Sequence, residues 1–156
     1  MMKKLCLILV TLSALFGAKV DIPKDAQCLI RKVQIYQHPE WASTITLRSG
    51  EHLYFSSPKS MFEFYFESSR WPEYVIRTKE DMQIYVTDYD TMEKIVAQEA
   101  FFVYGSSKTS ISGDDLPAFS TKEQAEAFVK KFGGTRILDF TGVSDALINL
   151  LNNRLR

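Results

Sequence analysis

Thiols and imidazoles are scarce in this chain: 156 residues hold two cysteines, Cys6 and Cys28, and two histidines, His38 and His52. Without paired Cys-x-x-Cys motifs or an H-E-x-x-H helix, the usual zinc sites are excluded; the absence of G-x-S-x-G and of a Walker loop removes the common hydrolase and phosphate-binding signatures. Charge of one sign is also lacking. Nineteen basic residues balance nineteen acidic ones, which argues against a nucleic-acid binder, a class that carries a basic patch. Long hydrophobic runs are missing too. The strongest, Leu5 to Phe16, is about twelve residues, too short to cross a bilayer.

That run follows Met1-Met2-Lys3-Lys4, the charged start and short apolar stretch of a secretory leader, here assigned to residues 1–18 with cleavage after Ala18. Cys6 lies inside the apolar stretch and Lys19 follows the cut, so the chain is not read as a lipoprotein. The expected product is a periplasmic protein, residues 19–156, with no stable membrane span. Loss of Lys3 and Lys4 leaves 17 basic residues against 19 acidic, a net charge of about −2. Cys28 is then unpaired in an oxidising compartment, where a spare thiol is buried, metal-bound or oxidised. About 138 residues rich in aromatics suffice for one domain without disulfides.

A duplication organises that domain. "YFSSPKSMFEFYFE" (54–67) lies over "AFSTKEQAEAFVKK" (118–131), matching Phe55 with Phe119, Ser56 with Ser120, Ser57 with Thr121 and Phe64 with Phe128. Each copy reads as a strand end, a capping hydroxyl and a helix with apolar residues at i, i+3 or i+4 spacing. Ser120 and Glu123 have capping-box spacing, and Gly133-Gly134 punctuates the second helix. The flanks extend the parallel. "STITLRSGEHLYF" and "AFFVYG … LPAF" give two strands before each helix, and "MQIYVTDY" and "TRILDF" give one after. "TMEKIVAQEA" reads as a short helix between the halves. "VSDALINLLNNRLR" reads as a terminal helix capped by Ser144, with Arg154 and Arg156 near the negative end of its dipole. The expectation is an α+β fold of two consecutive ββαβ units sharing a core, 28–90 and 98–141, followed by a helix over 143–154. Either unit alone would be marginal at that size.

Thiolate, thioether and imidazole select Cu(I), and the exported chain offers Cys28, His38, His52, Met61, Met82 and Met92. They are scattered. Met61 sits three residues before Phe64 and so also reads as a core position; Met82 starts a strand, Met92 falls in the expected short helix, His52 follows a hairpin turn, and His38 precedes Pro39 where a strand should end. Asp88-Tyr89-Asp90 could hold a hard cation or supply an acid-base pair, but also reads as a turn whose Asp90 caps the next helix. A cysteine hydrolase on Cys28 has no supporting local sequence.

The order of segments resembles the NosL family, exported copper-binding accessory proteins of nitrous oxide reductase. "CLIRKVQIYQHPEWASTI" falls where that family has Cys-x-x-Cys-Gly-Met and then Tyr-Pro-x-Trp. "SSPKSMFEFYF" resembles its Met-Phe-x-Phe-Tyr helix, "IYVTDYDT" its Val-Thr-Asp-Tyr segment, and "LPAFSTKEQAEAFVKKFGG" its Pro-Phe, Ala-Glu-x-Phe and Gly-Gly series. The resemblance implies paired ββαβ units and a Cu(I) site made by a Cys-Gly-Met cysteine and a later loop methionine. Here Cys28 keeps the first cysteine, but Arg31 stands at the second and Lys32-Val33 at Gly-Met, while Ile111 stands at the loop methionine. A branched hydrocarbon cannot ligate copper, and a guanidinium opposes a cation. Any copper would be anchored by Cys28, with His38 or Met61 as partners. The implied role is non-enzymatic: binding or delivering Cu(I) for maturation of nitrous oxide reductase or a related respiratory copper enzyme, with that enzyme or other assembly factors as partners. The departures support an alternative, a metal-free periplasmic protein-binding module.

Overall fold

The computed structural model describes residues 17–153. The expected leader thus lies outside the described residues up to Phe16, as do Arg154 and Arg156. Strand β1 (Ser43–Leu47) turns through Gly50 into β2 (His52–Phe55), helix α1 (Pro58–Glu67) follows, and β3 (Met82–Thr87) returns beside β1. Strand β4 (Lys94–Val96) adds to the far edge of β3, giving an antiparallel sheet of order β2-β1-β3-β4. The chain then repeats the plan. Strand β5 (Phe101–Tyr104) is followed by a small hairpin, β6 (Thr109–Ser110) with β7 (Gly113–Asp114). Then come β8 (Ala118–Phe119), helix α2 (Lys122–Phe132) and β9 (Arg136–Asp139). The order β8-β5-β9 matches β2-β1-β3 strand for strand, with every pair antiparallel. Helix α3 (Asp145–Leu151) closes the described chain. The fold is the expected α+β arrangement of two ββαβ units and a terminal helix. Among the described residues no helix is long and apolar enough to cross a membrane.

The two units do share a core. Phe62 of α1 meets Phe102 of β5 at 5.2 Å and Phe140 after β9 at 5.1 Å, and the same cluster takes in Leu138 and, from α3, Ile148. Alternation along β5 sends Phe102 into this main core and Val103 into a smaller cluster with Phe119, Ala125 and Phe128 beneath α2. A backbone seam joins the sheets. Asp88 makes a parallel bridge with Ala118, and the Tyr89 amide donates to the Ala118 carbonyl at 2.9 Å.

Local sequence explains the helix starts. Ser57 accepts from the Ser60 amide, with Pro58 in the first turn where a missing N–H costs nothing. In the second unit the cap is Thr121, whose hydroxyl accepts from the Gln124 amide while the Gln124 side chain accepts from the Thr121 amide. The expected box of Ser120 and Glu123 is therefore one residue early: Ser120 is drawn instead to Asp88. Gly133 ends α2 at φ 76, a left-handed conformation open to glycine. Ser144 caps α3 as expected, accepting from Leu147.

The helix expected over 91–100 does not form. Met92 turns the chain at φ 65, and Lys94–Val96 pairs with the edge of β3, setting Ile95 opposite Val86. Two adjacent β-branched residues beside an open strand edge favour the ladder over a helix. A 3-10 turn over Ala97–Glu99 completes the segment.

Candidate functional site

The stretch from Cys28 to Trp41 is mainly turns rather than a strand. Gln27 bridges Gln34, the Cys28 amide donates to the Val33 carbonyl at 2.8 Å, and the Lys32 amide donates to the Cys28 carbonyl at 2.9 Å. Lys32 closes this loop at φ 58, the left-handed conformation that glycine adopts most cheaply, at the position where the resemblance places glycine. The Leu29 amide ties the turn to β2 through the Tyr54 carbonyl, 2.9 Å away.

Cys28 Sγ accepts a hydrogen bond from the Arg31 amide at 3.4 Å, and the residue is 0% exposed within the main core cluster. Met61 is equally buried on α1. His38 lies elsewhere: its side chain is 53% exposed and its Nδ1 stands 3.4 Å from a Glu40 carboxylate oxygen. The other candidates have local explanations. His52 is exposed and shares a hydrogen bond with Thr46 Oγ1, Met82 is a buried strand residue, and Met92 occupies the left-handed turn. Among the described residues, no three or more His, Cys, Asp or Glu side chains cluster in a way that could hold a metal ion.

Asp88 is fully buried and its acceptor capacity is engaged. One carboxylate oxygen accepts from the Asp90 and Thr91 amides at 2.9 and 3.0 Å, and the other accepts from the Ser120 amide at 2.8 Å and the Ser120 hydroxyl. Burial pushes its pKa upward, but these hydrogen bonds outweigh it and hold the carboxyl below its ordinary range. Asp88, rather than Asp90, organises the turn, and it clips the two ββαβ units together.

The chemically distinctive place is a cleft of about 340 Å³ lined by Arg31, Val33, Lys59, Ile111, Ser112, Asn152 and Asn153. It gathers Arg31 and Ile111, the two positions where the resemblance places copper ligands, with Val33, which stands at the methionine of the Cys-Gly-Met motif. Arg31 Nη2 donates to Glu63 Oε2 at 2.8 Å and to Asn152 Oδ1 at 2.6 Å, tying the Cys28 turn to α1 and to the end of α3. The Glu63 carboxylate, 1% exposed, is shared with Arg70 at 3.3 Å. Lys59, at the start of α1, is 2% exposed and donates through Nζ to the Ser112 carbonyl at 2.8 Å and the Leu151 carbonyl at 3.4 Å. Burial lowers its pKa, with a smaller contribution from Arg31, opposed by Asp115, Asp114 and Glu63. Asp115 is wholly buried and its pKa is raised by burial, although it accepts from the Lys59 and Leu116 amides and the Ser110 hydroxyl.

These side chains do not make a copper site. Guanidinium and ammonium groups carry no free electron pair, Val33 and Ile111 are hydrocarbon, and two cations repel a third. Sequence reasoning found Arg31 and Ile111 as lost ligands but passed over Lys59, Asn152 and Glu63. A lysine two residues past the cap, on a helix rich in aromatic residues, was the available signal.

The NosL family model matches residues 19–148. The fold is similar to the crystal structure of the copper chaperone NosL from Shewanella denitrificans, with a TM-score of 0.67 and 26% identity over 81% of this chain and 95% of that one. No curated protein matches the chain. Fold and family together define an accessory protein rather than an enzyme. The chain belongs to the NosL family.

Proposed function

We propose that this protein is an exported accessory factor in the maturation of nitrous oxide reductase or a related respiratory copper enzyme, and that it acts there as a metal-free protein-binding module. The family match and the similarity to a copper chaperone support the accessory role. The observation that carries the metal-free reading is Arg31, whose guanidinium bridges Glu63 and Asn152 in the cleft where the family's donors would stand. A fixed internal cation there takes the carboxylate and amide contacts and disfavours a metal ion.

A second reading rests on the retained Cys28 turn, in which the sulfur accepts the Arg31 amide. Cys28 would anchor Cu(I), with His38 or Met61 as partners, and pass it on by ligand exchange to a site richer in sulfur or nitrogen. Anaerobic competition of the reduced protein against a Cu(I) chelator separates the two. The metal-free reading expects no more copper retained than by Cys28→Ser; one equivalent held by the native protein and lost in that variant would establish the second. In cells lacking the gene, native protein and Cys28→Ser should restore nitrous oxide reductase activity equally, and failure of both would remove the accessory role.

A further inference from the structure

The turn at Cys28 is a second copy of the turn at Asp88. The Cys28 amide donates to the Val33 carbonyl and the Asp88 amide to the Glu93 carbonyl, each at 2.8 Å. The Lys32 amide donates to the Cys28 carbonyl and the Met92 amide to the Asp88 carbonyl, each at 2.9 Å, with Lys32 at φ 58 and Met92 at φ 65. The next residue docks alike: the Leu29 amide donates to the Tyr54 carbonyl of β2 and the Tyr89 amide to the Ala118 carbonyl of β8, both at 2.9 Å. The side chains follow the same plan up to a point. The Thr91 amide donates to the Asp88 carboxylate at 3.0 Å, and the Arg31 amide, also three residues on, donates to Cys28 Sγ at 3.4 Å. Two residues after each docked carbonyl stands a serine. The Ser120 hydroxyl donates to Asp88, whereas the Ser56 hydroxyl is buried with no hydrogen-bond partner, the residue being 3% exposed. By this correspondence Ser56 faces Cys28, and it stays unpaired because a thiol ends one bond short of the carboxylate oxygen that Ser120 reaches. A buried hydroxyl without an acceptor is costly.

We propose that Cys28 is an oxidation site, at which hydrogen peroxide converts the thiol to a sulfinate whose oxygens take the places that the Asp88 carboxylate oxygens hold in the other turn. In the first step Sγ attacks one peroxide oxygen: the S–O bond forms, the O–O bond breaks, and the leaving hydroxide takes the thiol proton to become water. A second peroxide adds the second oxygen in the same way, the sulfur being oxidised and each peroxide reduced to water, and the sulfinic proton passes to solvent. One sulfinate oxygen then accepts from the Ser56 hydroxyl and the other from the Arg31 amide, as Asp88 accepts from Ser120 and Thr91. The Asp88 turn shows that this backbone holds a buried anion. Cys28 is 0% exposed in the closed turn, but it borders a surface depression of about 180 Å³ with Lys32, His52 and Tyr74, and Leu29 and Ile30 beside it are only half-buried. Local opening of this surface turn admits the peroxide. The inference goes beyond the protein-binding reading and does not rest on it.

The test is exposure of the reduced native protein to hydrogen peroxide, with peptide mapping by mass spectrometry at Cys28 and thermal unfolding of the product. The proposal expects Cys28 to gain two oxygens and to resist a third, and the sulfinate protein to unfold at or above the temperature of the reduced one. Ser56→Ala should lower the yield of sulfinate at least about threefold at equal exposure. Cys28→Asp, which carries a carboxylate permanently, supplies the second arm. In that background Ser56→Ala should lower the folding equilibrium constant at least about tenfold, against less than about twofold beside the native thiol. Recovery of Cys28 unoxidised, or its passage straight to the sulfonate, overturns the site. A sulfinate protein that unfolds below the reduced one overturns the held anion. Equal costs of Ser56→Ala in the two backgrounds would mean that Ser56 does not face position 28, and overturn the proposal as well.

Discussion

The two ββαβ units have the same strand order but their helices live in different surroundings. Helix α1 is buried from Pro58 through Phe64, its polar Lys59, Ser60 and Glu63 included, because the first sheet, the second unit and α3 enclose it. Helix α2 buries only Ala125 and Phe128 and turns its charged residues to solvent. Duplicated topology therefore does not duplicate environment: the copy enclosed by the rest of the chain carries both the core and the polar cleft, and the outer copy serves as a cover. Polar side chains buried on α1 must find partners, and that requirement joins Glu63 to Arg31 and Asn152 and sends Lys59 Nζ to the Ser112 and Leu151 carbonyls.

This contrast breaks first at the central helix. Phe62→Ala should cost about 3–5 kcal/mol in urea unfolding, since the ring is wholly buried between both units, whereas Phe128→Ala should fall at or below the lower end of that range, its smaller cluster being freer to collapse. Equal costs would show that the outer helix is as integral as the inner one.

The next largest effect should come from the clip between the units. Asp88→Ala leaves the Ser120, Asp90 and Thr91 amides without their acceptor and should cost about 2–3 kcal/mol at pH 7. Because the folded-state pKa of Asp88 is depressed, its contribution is complete above the unfolded carboxyl pKa of about 3.9 and is lost as pH falls through the folded value. The stability gap between native protein and Asp88→Ala should therefore narrow on acidification. A gap independent of pH would mean that the carboxylate's charge plays no part.

Smaller effects sharpen local points. Thr121→Ala should cost about 1 kcal/mol in thermal or urea unfolding, as loss of a true cap. Lys32→Gly should stabilise by up to about 1 kcal/mol by relieving the left-handed residue at the Cys28 turn.

The fold was largely legible because its signals are local. Period-two runs gave β1, β2, β3, β5 and β9, hydroxyl caps marked the helices, and the matched Phe55/Phe119 and Phe64/Phe128 pairs revealed the repeat. What failed was decided at a distance. Within 91–100, Lys94–Val96 became an edge strand because β3 offered it a partner, and Ser120 left its capping role because Asp88 drew it away. The candidate site was legible only as a loss. Aligning Arg31 and Ile111 against missing ligands showed what had gone, but the replacement needed Lys59, Glu63 and Asn152, separated by up to 121 residues from their partners in the chain. Burial likewise set Cys28 and Met61 in the core while leaving His38 at the surface with Glu40, a separation that residue type alone does not reveal.

The central claim is that this member keeps the NosL scaffold with cations in place of copper donors. It is tested most directly by anaerobic Cu(I) competition on the native protein beside a variant carrying Arg31→Cys, Lys32→Gly, Val33→Met and Ile111→Met. The native protein should surrender its copper to the chelator while the variant retains one equivalent. One equivalent held by the native protein and lost on Cys28→Ser would contradict it.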